Sequence, residues 1–171
     1  ILQSVNEIIS AERSARRIME SGSFAVEERA IAPLLVAGIR MKGRYKDCSD
    51  GFSRLGKAVG RYTCGKALCL YYDGEYREDD ANFEPCLPVR KEITTEGVSI
   101  KTLPGARCLT LIHRGPYDQL GRSYAKILKE AAARQSKLTL PSREVYIKGP
   151  GMIFKGSPSN YLTEIQLPVE G

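Results

Sequence analysis

The sequence predicts an α+β fold in which two copies of one unit, each made of strands and a single helix, share one antiparallel sheet. The unit is visible twice in the chain. Each copy has an amphipathic helical stretch between segments rich in β-branched and aromatic residues. The length of 171 residues suits one domain or two half-domains with a common core. We therefore expect both helices on one face of the sheet and a concave groove on the other.

The duplication is carried by three segments of the first copy, each of which aligns with a segment of the second. The offset between them rises along the chain from 72 to 75 to 80 residues, because loops are longer in the second copy. The aligned pairs are residues 39–45 with 111–117, 71–74 with 146–149, and 84–89 with 164–169. The two repeats therefore run from about residue 24 to 90 and from about residue 97 to 169.

The first twenty residues stand outside the duplication and have apolar side chains along one side. These side chains are Leu2, Val5, Ile8, Ile9, Ala15 and Met19. They predict an amphipathic helix over residues 1–22 that packs on the remaining domain, residues 23–171, or joins two chains in a homodimer. Because the chain begins at Ile1, we expect an upstream segment to have been removed.

The first repeat contains the weaker of the two predicted helices, from Asp47 to Val59. Gly51 and Gly56 lie within it, and each costs about 1 kcal/mol relative to Ala in a helix. Packing of this helix against the sheet must compensate for the two glycines. Strands are predicted on both sides of it, as in the second repeat.

The second repeat shows the same order of elements more clearly. Its predicted elements are strands at 98–101 and 107–113, a helix at 117–134, and strands at 144–148 and 161–167. In the helix the apolar positions recur at three- and four-residue spacing. They are Leu120, Tyr124, Ile127, Leu128 and Ala131. The two last strands are joined by a loop rich in Gly, Pro and Asn, which is typical of turns.

Charge and hydropathy exclude several classes of protein. The net charge is +6 and the pI about 9.1, but the basic residues are scattered, so this segment is not expected to bind nucleic acid directly. The longest apolar stretch, residues 31–39, is interrupted by Pro33 and Gly38, which argues against a membrane-spanning helix.

The cysteines and the histidine indicate neither a metal site nor a cofactor. Five cysteines are present without Cys-x-x-Cys spacing, and His113 is the one histidine of the sequence. An odd, irregular set in a chain of this size is typical of reduced, buried thiols in a cytoplasmic protein. A structural role for His113 is favoured over a catalytic one.

Alternation along the strands selects a set of candidate binding residues. Thr163, Ile165 and Leu167 form the apolar side of the last strand, so Glu164 is expected to face the groove. Its counterpart in the first repeat is Glu84. The groove side is predicted to hold, in total, Glu164, Glu84, Leu162, Cys108, Tyr71, Tyr146 and Tyr117. A carboxylate among tyrosines attracts a cationic ligand, because the ring faces add cation–π attraction.

A structural interpretation of the same residues remains open. Glu164 could pair with a neighbouring Arg or Lys on an exposed sheet face, and Tyr71 and Tyr146 could be amphipathic packing residues. A glutamate recurs at the same point of an otherwise apolar strand in both repeats. This repetition makes the binding interpretation as strong as the structural one.

Two short motifs resemble the GyrI-like small-molecule-binding family. They are Arg114-Gly-Pro-Tyr117, which opens the second helix, and the terminal segment 161–169. The resemblance covers residues 24–169. It implies a pseudo-two-fold fold with a ligand site at the seam of the two units. It also implies a family glutamate, which maps to Glu164.

The resemblance implies two functions of different classes. The first is binding of lipophilic, often cationic aromatic molecules, as in effector domains of multidrug-responsive activators of the MerR and AraC types. The second is hydrolysis of cyclopropane-containing toxins, in which Glu164 and Tyr146, or Tyr71, would assist proton transfer. The absence of Trp leaves Tyr and Phe to stack on a planar ligand.

Overall fold

The computed structural model describes residues 24–150 and 156–171. The predicted N-terminal helix over residues 1–22 lies outside the described residues. The homodimer predicted through that helix therefore stays a prediction, as does the division of the chain at residue 22. No helix among the described residues is long and apolar enough to cross a membrane.

The described residues form a sheet and two α-helices in the predicted order, with one further strand, β3, before the first helix. The strands are β1 (Glu27–Ile31), β2 (Leu34–Gly38), β3 (Met41–Gly43), β4 (Leu68–Tyr71), β5 (Ala81–Pro88), β6 (Ser99–Leu103), β7 (Ala106–Arg114), β8 (Ser142–Lys148) and β9 (Leu162–Pro168). Helix α1 (Cys48–Val59) lies between β3 and β4, and helix α2 (Leu120–Ala133) lies between β7 and β8.

The strand order follows a two-fold pattern. The order across the sheet is β1-β7-β9-β8-β4-β5-β2-β6, with β3 paired to β5, and the strand pairs are antiparallel. The counterpart strands are β1 and β6, β2 and β7, β4 and β8, and β5 and β9. If each strand is replaced by its counterpart, the same order is obtained when the sheet is read from its other edge. Each repeat lends its first strand, β1 or β6, to the opposite half. The predicted α+β fold with an antiparallel sheet and two helices is confirmed, and the sheet is in addition curled.

Both helices pack on the same face of the sheet, each over its own half. Helix α1 buries Leu55 and Val59 in one apolar cluster with residues of β2. Helix α2 buries Leu120, Ile127 and Ala131 in a second cluster with residues of β7 and β9. The two clusters are separate, so the strands at the centre of the sheet, β8 and β4, run beneath the gap between the helices.

The two glycines of α1 differ in their surroundings. A Cβ at Gly51 would lie 2.4 Å from Pro85 Cγ and 2.7 Å from Met41 Sδ. A Cβ at Gly56 would meet nothing within 4 Å. Gly51 therefore lets α1 approach β5 closely, whereas Gly56 has no such role.

We expect opposite effects of Ala at these two positions. Gly51→Ala should lower the free energy of unfolding by about 1–3 kcal/mol, because a rigid proline ring prevents the helix from yielding. Gly56→Ala should raise it by about 1 kcal/mol through helix propensity. Urea unfolding of both variants measures the two effects, and equal shifts would contradict the close approach at Gly51.

Candidate functional site

The centre of the candidate site is Glu144, on the strand that joins the two halves of the sheet. Glu144 pairs with Ile165 of β9 and with Cys69 of β4. Since Ile165 belongs to the apolar cluster beneath α2, Glu144 points to the helix-bearing face. Only 7% of its surface is exposed. The carboxyl therefore lies on the helix-bearing face, where β8 pairs with β4.

Three tyrosine hydroxyls donate hydrogen bonds to this carboxyl. Tyr124 of α2 donates to Oε1 at 2.7 Å, and Tyr71 and Tyr146 approach Oε2 at 3.0 and 3.1 Å. The hydroxyls of Tyr71 and Tyr146 lie 3.1 Å apart. Both repeats thus contribute to one network, which we call the Glu144 cluster: Glu144, Tyr71, Tyr124 and Tyr146.

Burial determines the protonation of the cluster. It raises the pKa of Glu144, and the three phenol hydrogen bonds counteract this only in part. It also raises the pKa values of Tyr71, Tyr124 and Tyr146, so the phenols keep their protons and remain donors. No ion pair found among residues 24–150 and 156–171 includes Glu144. The carboxyl is therefore held by neutral donors.

Aromatic rings surround the cluster on the side of the helices. Phe52 of α1 meets Tyr146 edge to face, with centroids 5.9 Å apart. Tyr117, just before α2, meets Tyr146 at 5.7 Å and Tyr161 at 5.3 Å. Tyr117 is 40% exposed, so it offers ring surface to an incoming molecule. Rings at such distances and angles stabilise one another and present π faces to ligands.

An acidic loop lies next to these aromatic rings, and its residue Tyr76 extends the series of ring contacts. Tyr76 is 77% exposed and lies 5.4 Å from Tyr45, whose ring lies 5.7 Å from that of Tyr71. The loop over residues 73–80 carries five carboxylates and one arginine. The backbone N–H of Arg77 donates to the Tyr45 hydroxyl at 3.1 Å. Negative charge is thus concentrated at one edge of the aromatic surface, in a chain of net charge +6.

The structure brings together only part of the residue set selected from the sequence. Tyr71 and Tyr146 belong to the Glu144 cluster, and Tyr117 lies beside it. The others are on the opposite face of the sheet, as the strand pairing shows: Glu164, Glu84, Leu162 and Cys108. The expectation that the tyrosines share a face with Glu164 is wrong.

Glu164 and Glu84 lie, as expected, on the face opposite the helices, whereas Tyr71 and Tyr146 lie on the helix-bearing face; both glutamates are buried and paired with cations. Glu164 forms an ion pair with Arg29 and accepts a hydrogen bond from Gln166 at 2.8 Å. Glu84 lies 2.6 Å from Lys101 Nζ and accepts a bond from Tyr72 at 2.5 Å. The structural interpretation of the sequence predicted such a pairing for Glu164. It expected an exposed sheet face, whereas Glu164 is buried.

Leu162 and Cys108 are also engaged on that face. Leu162 packs with Ile112 and Ile147. Cys108 is fully buried, and its pKa is raised by burial. His113 is buried too, with Ser123 Oγ 2.9 Å from one ring nitrogen and the Pro116 carbonyl oxygen 3.2 Å from the other. These contacts fit the structural role expected for His113.

The faces were misassigned because both sides of the curled sheet are buried. Apolar Leu70 and Val145 were expected to face the helices, yet they lie on the side of Glu84 and Glu164. The alternation of side chains along β8 could nevertheless have identified Glu144. Glu144 stands two residues before Tyr146 in one strand, so any face that holds the tyrosine must also hold this glutamate.

Comparison with known proteins identifies a family and solved structures of the same fold. A family model described as GyrI-like small molecule binding domain matches residues 24–170. The crystal structure of the EcmrR C-terminal domain is 26% identical, with a TM-score of 0.76, and the match covers 86% of this chain and 98% of that one. No curated protein sequence matches the chain at a significant level.

Two further solved structures extend the comparison. EcmrR in a complex with DNA, determined by cryo-EM, is 24% identical with a TM-score of 0.74; the match covers 99% of this chain but 64% of that one. SAV2435 bound to tetraphenylphosphonium is 15% identical with a TM-score of 0.63, covering 86% of this chain and 94% of that one.

Proposed function

Because the chain belongs to the GyrI-like small-molecule-binding family, we propose that it binds lipophilic aromatic cations over the Glu144 cluster, between α1 and α2. The observation that carries the proposal is a buried carboxyl that is held by three phenols and forms no ion pair with a Lys or Arg of the described residues. An ionised carboxylate in such surroundings is costly unless a positive charge approaches it. A cationic ligand would supply that charge.

The aromatic surroundings favour a particular kind of cation. A small hydrated ion would lose its water without replacement, whereas an aryl cation can exchange water for ring contacts with Phe52, Tyr117 and Tyr146. Cation–π attraction to tyrosine faces adds about 0.5–2 kcal/mol when the site is shielded from water. The negative loop at residues 73–80 would attract such ligands from solution. The structural neighbour solved with tetraphenylphosphonium supplies a suitable probe.

A titration of the wild-type protein tests the proposal. We expect tetraphenylphosphonium to bind more tightly than triphenylphosphine oxide, a neutral aryl phosphorus compound, in isothermal calorimetry. The preference should shrink as salt is added, because the loop charges are exposed and screened. Equal affinity for the two compounds would contradict the role of charge.

The raised pKa of Glu144 predicts how binding depends on pH. A carboxyl with a raised pKa takes up its proton at a higher pH than usual and then no longer attracts a cation. Affinity for tetraphenylphosphonium should therefore fall as pH falls, with a midpoint above about 4.3, the pKa of an ordinary Glu. The affinity of the Glu144→Gln variant should not show this step.

Glu144 also makes the stability of the ligand-free protein depend on pH, but with the opposite sign to ligand affinity. Between the pKa of the unfolded chain and the raised pKa of the folded one, the folded state holds more protons. The contribution of Glu144 to the free energy of unfolding therefore decreases as pH rises through this window. Comparing wild type with Glu144→Gln by urea unfolding across the window isolates that contribution.

Hydrolysis is the second candidate function, and one observation favours it. Glu144, with its raised pKa, lies 3.1 Å from the Tyr146 hydroxyl in an aromatic setting, which suits proton transfer to or from a reacting group. Glu144 would take the role first given to Glu164. Incubation with a cyclopropane-bearing electrophile, followed by mass spectrometry, separates the two functions, because stoichiometric binding without product eliminates the hydrolase.

We propose that the domain senses its ligand on behalf of a cytoplasmic transcription regulator. The likeness to EcmrR, which has been solved in a complex with DNA, supports this role. We expect other parts of such a regulator to contact nucleic acid, because the basic residues of this segment are scattered along the chain.

A further inference from the structure

Two free thiols lie beside the Glu144 cluster, and neither has a role in the proposed binding of cations. Cys48 is the first residue of α1, and Cys69 lies on β4 directly opposite Glu144. Their sulfur atoms are 3.5 Å apart. A disulfide bond is about 2.0 Å long, so an approach of roughly 1.5 Å would join the two sulfurs.

The other cysteines are placed differently. Cys86 and Cys108 are buried on the opposite face, where their thiols lie near the carbonyl oxygens of Glu84 and Ala106. Cys64 is half-buried in the segment between α1 and β4. Of the five cysteines, Cys48 and Cys69 are the two whose thiols are found in mutual contact.

The two thiols differ in access. Cys48 is half-buried and is the first residue of α1. Cys69 is fully buried, and burial raises its pKa, so it remains a thiol until a partner sulfur is at hand. Of the two cysteines, Cys48 is therefore the one more open to an oxidant from solution.

We propose that Cys48 and Cys69 are a redox modification site, at which hydrogen peroxide or an organic hydroperoxide produces a reversible disulfide that ties α1 to β4. The Cys48 thiolate attacks the peroxide, the O–O bond breaks, and hydroxide leaves as water after protonation. The resulting sulfenic acid is attacked by the Cys69 sulfur. The S–O bond then breaks, and the hydroxyl leaves as water with the thiol proton. Two thiols and one peroxide give one disulfide and two waters.

The bond would act on the surface that surrounds Glu144. Phe52 lies one helical turn after Cys48, on the same side of α1, and its ring contacts Tyr146. Drawing the start of α1 toward β4 shifts this ring over the Glu144 cluster. This consequence rests on the proposed binding function, whereas the disulfide itself does not.

Peptide mapping tests the disulfide directly. Each cysteine falls in its own tryptic peptide, with Cys48 in residues 47–54 and Cys69 in residues 67–77. After treatment of the reduced protein with hydrogen peroxide and alkylation of free thiols, we expect these two peptides to be linked, with two hydrogen atoms fewer than their sum. Dithiothreitol should release them.

Matched variants decide whether the pairing is specific. Cys48→Ser and Cys69→Ser should each abolish the linked peptide, whereas Cys64→Ser should leave it unchanged. Links to Cys64, links between two chains, or conversion of Cys48 to sulfinic acid without any link would overturn the proposal. Cys69→Ser should instead accumulate the sulfenic acid on Cys48, which dimedone labels.

A second readout concerns the ligand. Oxidised protein should bind tetraphenylphosphonium at least about 5-fold more weakly than reduced protein, the lower end of coupling between sites, and dithiothreitol should restore the affinity. Equal affinities would overturn the coupling. If the reduced protein binds no cation, the proposed function fails, while the linked peptide still decides the redox site.

Discussion

Replacing Glu144 by Gln is expected to weaken tetraphenylphosphonium binding by about 1.5–3 kcal/mol, or roughly 10- to 150-fold, the range for contacts with a charged group. Gln has the same shape and keeps one carbonyl oxygen to accept phenol hydrogen bonds, so the substitution removes charge with little change of form. Affinity for neutral triphenylphosphine oxide should hardly change. Calorimetric titration of both compounds measures the difference.

Two control variants make this result specific. Glu130→Gln removes an equal charge from the exposed side of α2, where Glu130 pairs with Arg134, and should leave both affinities unchanged. Glu164→Gln alters the glutamate selected from the sequence, which lies on the opposite face. If folded Glu164→Gln loses cation affinity and Glu144→Gln does not, the assignment of Glu144 is wrong.

The Glu144→Gln variant should also retain its fold. The buried carboxylate has phenol partners but no cation, so removing its charge removes a desolvation cost that these hydrogen bonds offset only in part. We expect unfolding by urea at or above the wild-type midpoint at neutral pH. A large loss of stability would mean that the ionised group is needed for folding rather than for ligands.

The fold class and both helices could be predicted because helical periodicity and the internal duplication can be read directly from the order of residues. Helical periodicity placed α2 at 117–134 against the observed Leu120–Ala133, and the duplication placed α1 within one residue. One detail of α2 differs: Leu128, assigned to the apolar side, is 47% exposed. The helix turns its narrower stripe of Leu120, Ile127 and Ala131 inward, so Leu128 falls at its margin.

The candidate site was predictable only in part, because it depends on which face of the sheet the helices cover. Tyr71 and Tyr146 were selected by alternation, which is a property of each strand alone. Their partner carboxylate required a comparison between strands. Glu144, Glu164 and the residues on either side of each are buried or partly buried, so burial does not mark one face of the sheet as solvated. Only the pairing of β8 with β4 and β9 distinguishes the two glutamates.

The ion pair between Arg29 and Glu164 leads to the second large effect. Glu164 is 2% exposed, while Arg29 of β1 is 26% exposed. Arg29→Met should lower the free energy of unfolding by about 3 kcal/mol, the lower end for breaking a buried pair, because Glu164 is left charged and buried with Gln166 as its remaining partner. Urea unfolding at neutral pH measures the loss.

A neighbouring pair provides the matched control. Arg107 of β7 pairs with Glu28 of β1, the strand that also carries Arg29, but the two side chains are 61% and 33% exposed. Arg107→Met should therefore cost less than about 1 kcal/mol, as exposed pairs do. If Arg29→Met lowers the free energy of unfolding by no more than Arg107→Met does, the buried Glu164 does not depend on Arg29 for stability.

The double variant Arg29→Met with Glu164→Gln shows what the charge itself contributes. Gln at position 164 keeps an acceptor for Gln166 and has no charge to compensate, so most of the stability lost in Arg29→Met should return. This outcome would establish Glu164 as a structural carboxylate that needs an internal cation. No Lys or Arg of the described residues forms an ion pair with Glu144, and the contrast between the two carboxylates is the physical reason to expect an external cation at Glu144. A double variant as unstable as Arg29→Met would show that the arginine stabilises β1 by packing, and the contrast would then lose its force.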